Sequence, residues 1–358
     1  MCREGNGGFY MANIVLVCDI FLKRGSSFFD FLYHLPTHSP HQYILLVRGI
    51  DKGLSSRLTS LGYDVKIFHS SIDLAKYFLQ YQPDLIHFHF YGIGHRHILL
   101  AKCLASKVLL TFHNSLLKKP KINFYLRVKQ SLLALPLSRV IAVSSFTSSW
   151  LCSLLPPIKV VHIDNGIDLT RFRPIPQIEV TQYLECCYIG SLSNEKGVNK
   201  LISLFSLPEI ARFARLHLVG EGELQEVIHR LPEQTDNIIS YGYLNDVTVV
   251  LKKVHLVLVP SDWYEAFGYS AVEAMATQRP IIAQPVGALK DLFSNDLHGW
   301  HADYNNMISV QKLLERIHRS PLLLKRTGEQ AQAWVKQKYD IHNQIKKTHR
   351  QYCQLLNE

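Results

Sequence analysis

The feature that most constrains this chain is a recurring short apolar segment rich in β-branched residues, each copy followed by a turn and a helix-length stretch. In the first half the copies are "NIVLVCD", "YILLVRG", "DVKIFHS", "LIHFHF", "VLLTFH", "RVIAVS" and "VVHIDNG"; in the second they are "CCYIGSL", "LHLVGEG", "NIISYGYL", "LVLVPS", "PIIAQPV" and "GWHADY". Strands that are apolar almost without interruption are covered on both faces, which is the condition of a parallel sheet between helices. The expected class is therefore α/β and doubly wound. A length of 358 residues suits two domains of roughly 150–180 residues each.

"DNGIDLTRFRPIPQIEV", polar and rich in proline, divides the two series. The expected organisation is a first domain over 11–166, a linker over 167–180 and a second domain over 181–338. The last segment, 339–358, has Asp340 as a candidate N-cap and no strand after it. It is expected to run as a basic helix that crosses back to the first domain.

Bulk properties narrow the partners. The formal charge of +10 favours something anionic: a nucleotide, a nucleic acid or an acidic membrane surface. No stretch approaches the ~18 apolar residues a spanning helix needs. "NIVLVCDIFL" contains Asp19 and lacks a small-residue cleavage site, so it reads as a first strand. Residues 1–10 carry no structural signal, and Met11 is a second candidate start. Seven cysteines without a C-x-x-C argue against a disulfide framework and point to the reducing cytosol.

In doubly wound folds ligands sit at the carboxyl ends of strands. There the second half places Gly190–Lys196, Gly220–Glu223, Tyr241–Leu244, Ser261–Gly268 and Val286–Gly287, and the first half Gly25, His89, His113, Ser144 and Asn165. "PSDWYEAFGYSAVEAMA" follows a strand and opens a helix near Gly268, whose free N–H groups and positive dipole end suit a phosphate. Glu265, before that helix, suits the hydroxyls of a neutral sugar; Glu273, further in, suits the vicinal hydroxyls of a ribose. The competing reading makes Glu265 an ordinary helix-start acid and Glu273 part of a solvated face. In "GSLSNEKG", Gly190 and Gly197 bracket a loop carrying Lys196, a point charge for a phosphate. "LVGEGEL" lacks the third glycine of a dinucleotide fingerprint.

In order, "PDLIHFH", "TFHN", "AVSSFT", "NGIDLTRFRP", "GSLSNEKG", "LVGEGEL", "YGYL" and "PSDWYEAFGYSAVEAMATQRPIIA" resemble the retaining glycosyltransferases of family 4, which have the GT-B fold. Glu265 and Glu273 look like that family's E-x(7)-E signature. The resemblance implies two Rossmann-like domains, doubly wound with parallel sheets, facing across a cleft. It implies Glu265, His113 and Lys196 as catalytic residues, with Glu265 on the donor sugar and His113 on the transferred sugar. Lys196 would meet the diphosphate. Gly190, Ser191, Lys196, Gly220, Tyr243, Leu244, Phe267, Gly268 and Glu273 would bind the donor, a UDP or GDP sugar. Gly25 and Ser26 would form an acceptor-side loop. The chain departs from the pattern in several places: Ser191 stands where arginine is usual, "KRGSS" replaces a paired-glycine loop, and Gln278 takes a usual glycine. "VGA" likewise replaces a paired-glycine turn.

The implied reaction moves a sugar from a nucleotide-diphosphate sugar to a saccharide or lipid-linked acceptor, in cell-envelope polysaccharide or lipopolysaccharide synthesis, without cofactor or metal. A GT-B nucleotide-sugar epimerase and a silent sugar-nucleotide-binding protein are the alternatives. The histidine pairs His87/His89 and His95/His97 lack the acidic or cysteine companions of a typical metal site. No nucleic-acid motif accompanies the charge. Residues 116–133, "LLKKPKINFYLRVKQSLL", mix cations with aromatics and fit either an anionic membrane surface or a solvated helix face. The expected location is cytoplasmic, at the inner face of the membrane if that helix docks.

Overall fold

A computed structural model describes residues 11–23, 27–39, 41–105, 107–115, 123–230 and 236–357. The chain divides into two compact units. The first takes the described residues up to Asn114, those from 123 to Gly166, and those from Ile341 onward; the second takes Ser115 and Ile167–Asp340.

In the first unit lie β1 (Asn13–Leu22), β2 (Gln42–Ile50), β3 (Tyr63–Ile67), β4 (Leu85–His89), β5 (Lys107–Phe112), β6 (Arg139–Ala142) and β7 (Val160–His162). They form one parallel sheet in the order β3-β2-β1-β4-β5-β6-β7. The apolar continuity of "NIVLVCD" has a direct cause. Ile14, Leu16 and Cys18 pack into one core with Leu45 and Val47, while Val15 and Val17 pack into the opposite core with Ile44 and Leu46. Each such fully buried aliphatic side chain contributes on the order of 1.5–3 kcal/mol.

In the second unit β8 (Leu184–Ile189), β9 (Ala214–Val219), β10 (Ile238–Ser240), β11 (Leu256–Val259), β12 (Ile281–Ala283) and β13 (Gly299–His301) form a parallel sheet in the order β10-β9-β8-β11-β12-β13. The two sheets share one winding. Each reverses direction beside its first strand, between β1 and β4 and between β8 and β11, the switch point where such folds bind ligands.

The proline-rich segment after Ile167 is fastened to the second unit along part of its length. Arg279, fully buried, donates from Nε to the Leu251 carbonyl at 2.8 Å, from Nη1 to the Ile175 carbonyl at 2.8 Å and from Nη2 to the Pro176 carbonyl at 3.1 Å. Burial without a carboxylate lowers the guanidinium pKa to about 10. Gln177 Nε2 adds a bond to the Gln278 carbonyl at 2.8 Å.

The last helix, Ile341–Asn357, packs with the first unit. Ile341, Ile345, Tyr352 and Leu355 enter the core on the Ile14 side of the sheet. Gln344 accepts from the Gly166 N–H at 2.7 Å and donates to Asn165 Oδ1 at 3.0 Å.

Candidate functional site

The strand-end loops of the second unit close on one another through glycine. A Cβ on Gly220 would lie 1.8 Å from the Gly190 carbonyl oxygen, so no other residue lets the loops after β8 and β9 touch. Tyr188 Oη donates to the Ser191 carbonyl at 2.7 Å, which fixes the turn while the Ser191 side chain stays exposed. The loop then delivers Lys196. Its Nζ lies 2.5 Å from Glu265 Oε1 and 5.3 Å from the centre of the Trp263 ring. Ser261 Oγ donates to the same carboxylate oxygen at 3.1 Å. Among the described residues Glu265 Oε2 takes no hydrogen bond.

Glu265 is held from behind as well. Gly287, at φ +57°, presses against it so closely that a Cβ would fall 2.6 Å from the Glu265 nitrogen. The next residue, Ala288, donates its N–H to the Glu265 carbonyl at 2.9 Å. Only the first glycine of the family's usual pair is needed for that approach, and "VGA" keeps it. Ala266 N–H donates to Ser115 Oγ at 3.1 Å.

The helix Tyr269–Ala276 starts from Gly268, and no side chain caps it. The N–H groups of Phe267 and Gly268 meet no acceptor among the described residues. Bare N–H groups at the start of a helix suit an anionic group. Glu273 sits in the second turn, 7% exposed, with its own polar contacts. A solvated face is therefore ruled out for it. Tyr243 is exposed and Leu244 half-buried, beyond β10.

In the first unit, His113 follows β5 and His89 ends β4. His89 Nδ1 and His113 Nε2 are 3.0 Å apart. The Phe90 ring stacks on His113, centroids 4.4 Å apart. Phe90 holds φ +65°, a left-handed conformation that costs a bulky residue on the order of 1–2 kcal/mol. Burial drives the His113 pKa down to about 3, and pushes His87 and His89 well below the ordinary histidine range. All three imidazoles are neutral at physiological pH.

His87 and His89 share a face, but His87 has no free ring nitrogen to offer a metal ion. His87 Nδ1 lies 2.8 Å from Tyr352 Oη and its Nε2 2.7 Å from Thr111 Oγ1. His95 Nδ1 accepts from the His97 N–H at 3.2 Å, and the His97 ring meets Ser71 and Tyr91. Gly25 and Ser26 lie outside the described residues, as do Lys118, Lys119 and Lys121.

The contacts missed in the sequence are those that hold a candidate side chain in place: Trp263 over Lys196, Ser261 on Glu265, His89 on His113. "PSDW" places Ser261 and Trp263 close to Glu265 in sequence, which is a signal that could have been used. Nothing local announces the His89–His113 pair, because it forms between neighbouring strands.

The two doubly wound parallel sheets, of seven and six strands, are those of a GT-B protein. A model described as glycosyl transferases group 1 matches residues 174–334, and one described as glycosyltransferase family 4 matches residues 47–171. The chain belongs to these family 4, group 1 glycosyltransferases. It is 24% identical to a glycogen synthase of Mycobacterium tuberculosis over 73% of this chain and 66% of that one. It is 26% identical to a lipopolysaccharide 1,2-N-acetylglucosaminetransferase of Salmonella typhimurium over 58% of this chain and 59% of the other. The chain thus spans less than two thirds of the length of these curated relatives. In fold it is similar to the Anabaena protein HepE, crystallised in complex with UDP: TM-score 0.77 and 17% identity, covering 95% of this chain and 99% of that one.

Proposed function

We propose that the protein transfers a sugar, with retention of anomeric configuration, from a nucleoside-diphosphate sugar to a saccharide or lipid-linked acceptor. The observation that carries this reading is the meeting of Lys196 and Glu265, from two different strand-end loops, just before the uncapped helix start at Phe267–Gly268. A cation and bare N–H groups beside a carboxylate suit a ligand that joins a diphosphate to a polyol. The diphosphate would take Lys196 and the helix N–H groups, and a sugar hydroxyl would take Glu265 Oε2. Buried Glu273 would bind the ribose, with Gly190, Ser191, Gly220, Tyr243 and Leu244 around the nucleotide. His113 would touch the transferred sugar.

In such a reaction the bond from the anomeric carbon to the diphosphate oxygen breaks as the acceptor oxygen bonds on the same face. The leaving diphosphate takes the acceptor hydroxyl's proton. The protein then acts by stabilising charge on the leaving group, an electrostatic task for Lys196 and the preorganised N–H groups. Neither a cofactor nor a metal ion is required on this reading. UDP in a fold relative makes a UDP sugar the first donor to try, and the lipopolysaccharide transferase among the relatives makes envelope glycans the first acceptors.

The experiment is release of free nucleoside diphosphate with and without acceptor. Acceptor-dependent release that survives EDTA supports the transferase. Interconversion of the donor sugar without acceptor would instead support an epimerase, and binding without turnover a silent protein.

A second observation concerns location. In the helix Phe124–Leu133 no residue is buried, and Phe124, Val128, Leu132 and, just beyond, Leu135 stand exposed at helical spacing with Arg127 and Lys129 nearby. An apolar stripe flanked by cations fits the surface of an anionic bilayer, where each basic residue adds on the order of 1 kcal/mol. Exchanging Phe124 and Leu132 for serine and Arg127 and Lys129 for glutamine should release the protein from anionic vesicles in sedimentation. If wild type never sediments, the helix is a solvated face.

A further inference from the structure

We propose that His89 positions His113 as a neutral hydrogen-bond acceptor, with the Nδ1 lone pair of His113 presented to the ligand, so that His113 reads a sugar hydroxyl and not a phosphate oxygen. The inference rests on the proposed place of His113 at the transferred sugar, and adds the residue that sets its polarity.

The argument follows one proton. His89 is 2% exposed, and its Nε2 is buried without a hydrogen-bond partner among the described residues. Around the His89 ring lie Phe28, centroids 4.9 Å apart, and Phe31, at 5.5 Å. An N–H among phenyl rings retains a weak partner in their π faces, whereas a lone pair there meets only electron density of like sign. The His89 proton therefore belongs on Nε2. Its Nδ1 is then bare and accepts from His113 Nε2–H across the 3.0 Å contact. His113, neutral with its one proton so committed, keeps a bare Nδ1. No described residue bonds to that nitrogen.

The surroundings fix the ring as well as the proton. Phe90 stacks on His113 with 20° between the planes, and Phe28 meets it edge-on at 5.7 Å. His87, 4.0 Å from His89 between centroids, is tied at both ring nitrogens to Tyr352 and Thr111, so it backs the His89 ring. A bare nitrogen accepts from a hydroxyl and repels an anionic oxygen. Burial keeps His113 from protonating at working pH, so that polarity does not switch.

The test is nitrogen NMR on the full chain carrying labelled histidine, with His113→Gln used to assign the His113 signals. Wild type should show a pyridine-type Nδ1 and a pyrrole-type Nε2 at His113. His89→Phe fills the same space without an acceptor, and His89→Asn returns an oxygen near the Nδ1 position. In His89→Phe, His113 Nδ1 should become partly protonated, and kcat should fall about tenfold while donor KM stays within about twofold. His89→Asn should recover kcat to within about threefold of wild type. A protonated Nδ1 in wild type overturns the proposal, as does unchanged turnover in His89→Phe. The wild-type spectrum decides the tautomer even if the phenylalanine variant fails to fold. If His113→Gln turns over normally, the role of His113 at the sugar fails, and the spectrum still reports the tautomer separately.

Discussion

The two units wind their sheets identically and finish their strands differently. Among the described residues, six of the seven glycines with positive φ belong to the second unit, and at Gly197, Gly220 and Gly287 they let loop backbones touch. The first unit ends β4 and β5 with His89 and His113 and surrounds them with Phe28, Phe31 and Phe90. N–H groups without an acceptor and one lysine suit a charged ligand part; neutral buried imidazoles suit an uncharged one. The difference teaches that a shared topology can end its strands in loops of opposite chemistry, one suited to charge and one to neutral polar groups.

The largest expected effect is on turnover. Glu265→Gln should cost about 10²–10³-fold in kcat, by analogy with losing one preorganised group at a reacting centre. Nucleoside diphosphate affinity should stay level or rise, because Lys196 loses its 2.5 Å partner. Steady-state kinetics beside calorimetry checks both. Glu273→Gln should act on the nucleotide, weakening it by ~1–3 kcal/mol. Equal loss of nucleotide affinity in both variants would erase the division between sugar and ribose carboxylates.

Acid separates the units in another way. Burial lowers the pKa of His41 to about 4 and of His113 to about 3, and holds His87 and His89 well down. Each is depressed below its unfolded value of about 6.5, so the unfolded chain binds more protons. Stability is then complete above pH ~6.5 and falls as pH drops toward about 4. The second unit has histidines shifted the same way at His255, His298 and His301, but among the described residues no buried histidine pair in ring contact at its strand ends. Thermal unfolding followed at pH 7 and pH 5 should show the first unit losing several degrees more. Equal losses would remove this contrast.

The smallest effect concerns a departure from the family pattern. Gln278, where glycine is usual, holds φ +64°. Gln278→Gly should stabilise the second unit by about 1 kcal/mol by relieving a left-handed non-glycine residue. A lower melting temperature would mean that its side chain is needed.

Much of this was legible in the sequence because it is local. Apolar continuity in "NIVLVCD" and "LVLVPS" announced buried parallel strands, and "EAFGYSAVEAMA" announced the helix and both glutamates. The segment 167–180 was harder. It reads as an interdomain linker, and nothing local shows that Arg279, a hundred residues later, holds the carbonyls of Ile175 and Pro176. Glu273 read equally well as a solvated face, since burial depends on neighbours no local pattern names. The setting of His113 by His89 and Phe90 was also out of reach, because strand neighbours and a positive φ at phenylalanine are written in register and not in spacing.

The central claim is that the second unit binds the charged part of the donor and the first unit's His113 does not. Titration calorimetry of UDP, and of GDP if UDP does not bind, into wild type, Lys196→Met and His113→Gln tests it directly. Lys196→Met should lose ~1.5–3 kcal/mol of affinity, the range for a hydrogen bond to a charged group, and His113→Gln should match wild type. Comparable losses in both variants, or a loss confined to His113→Gln, would contradict the account.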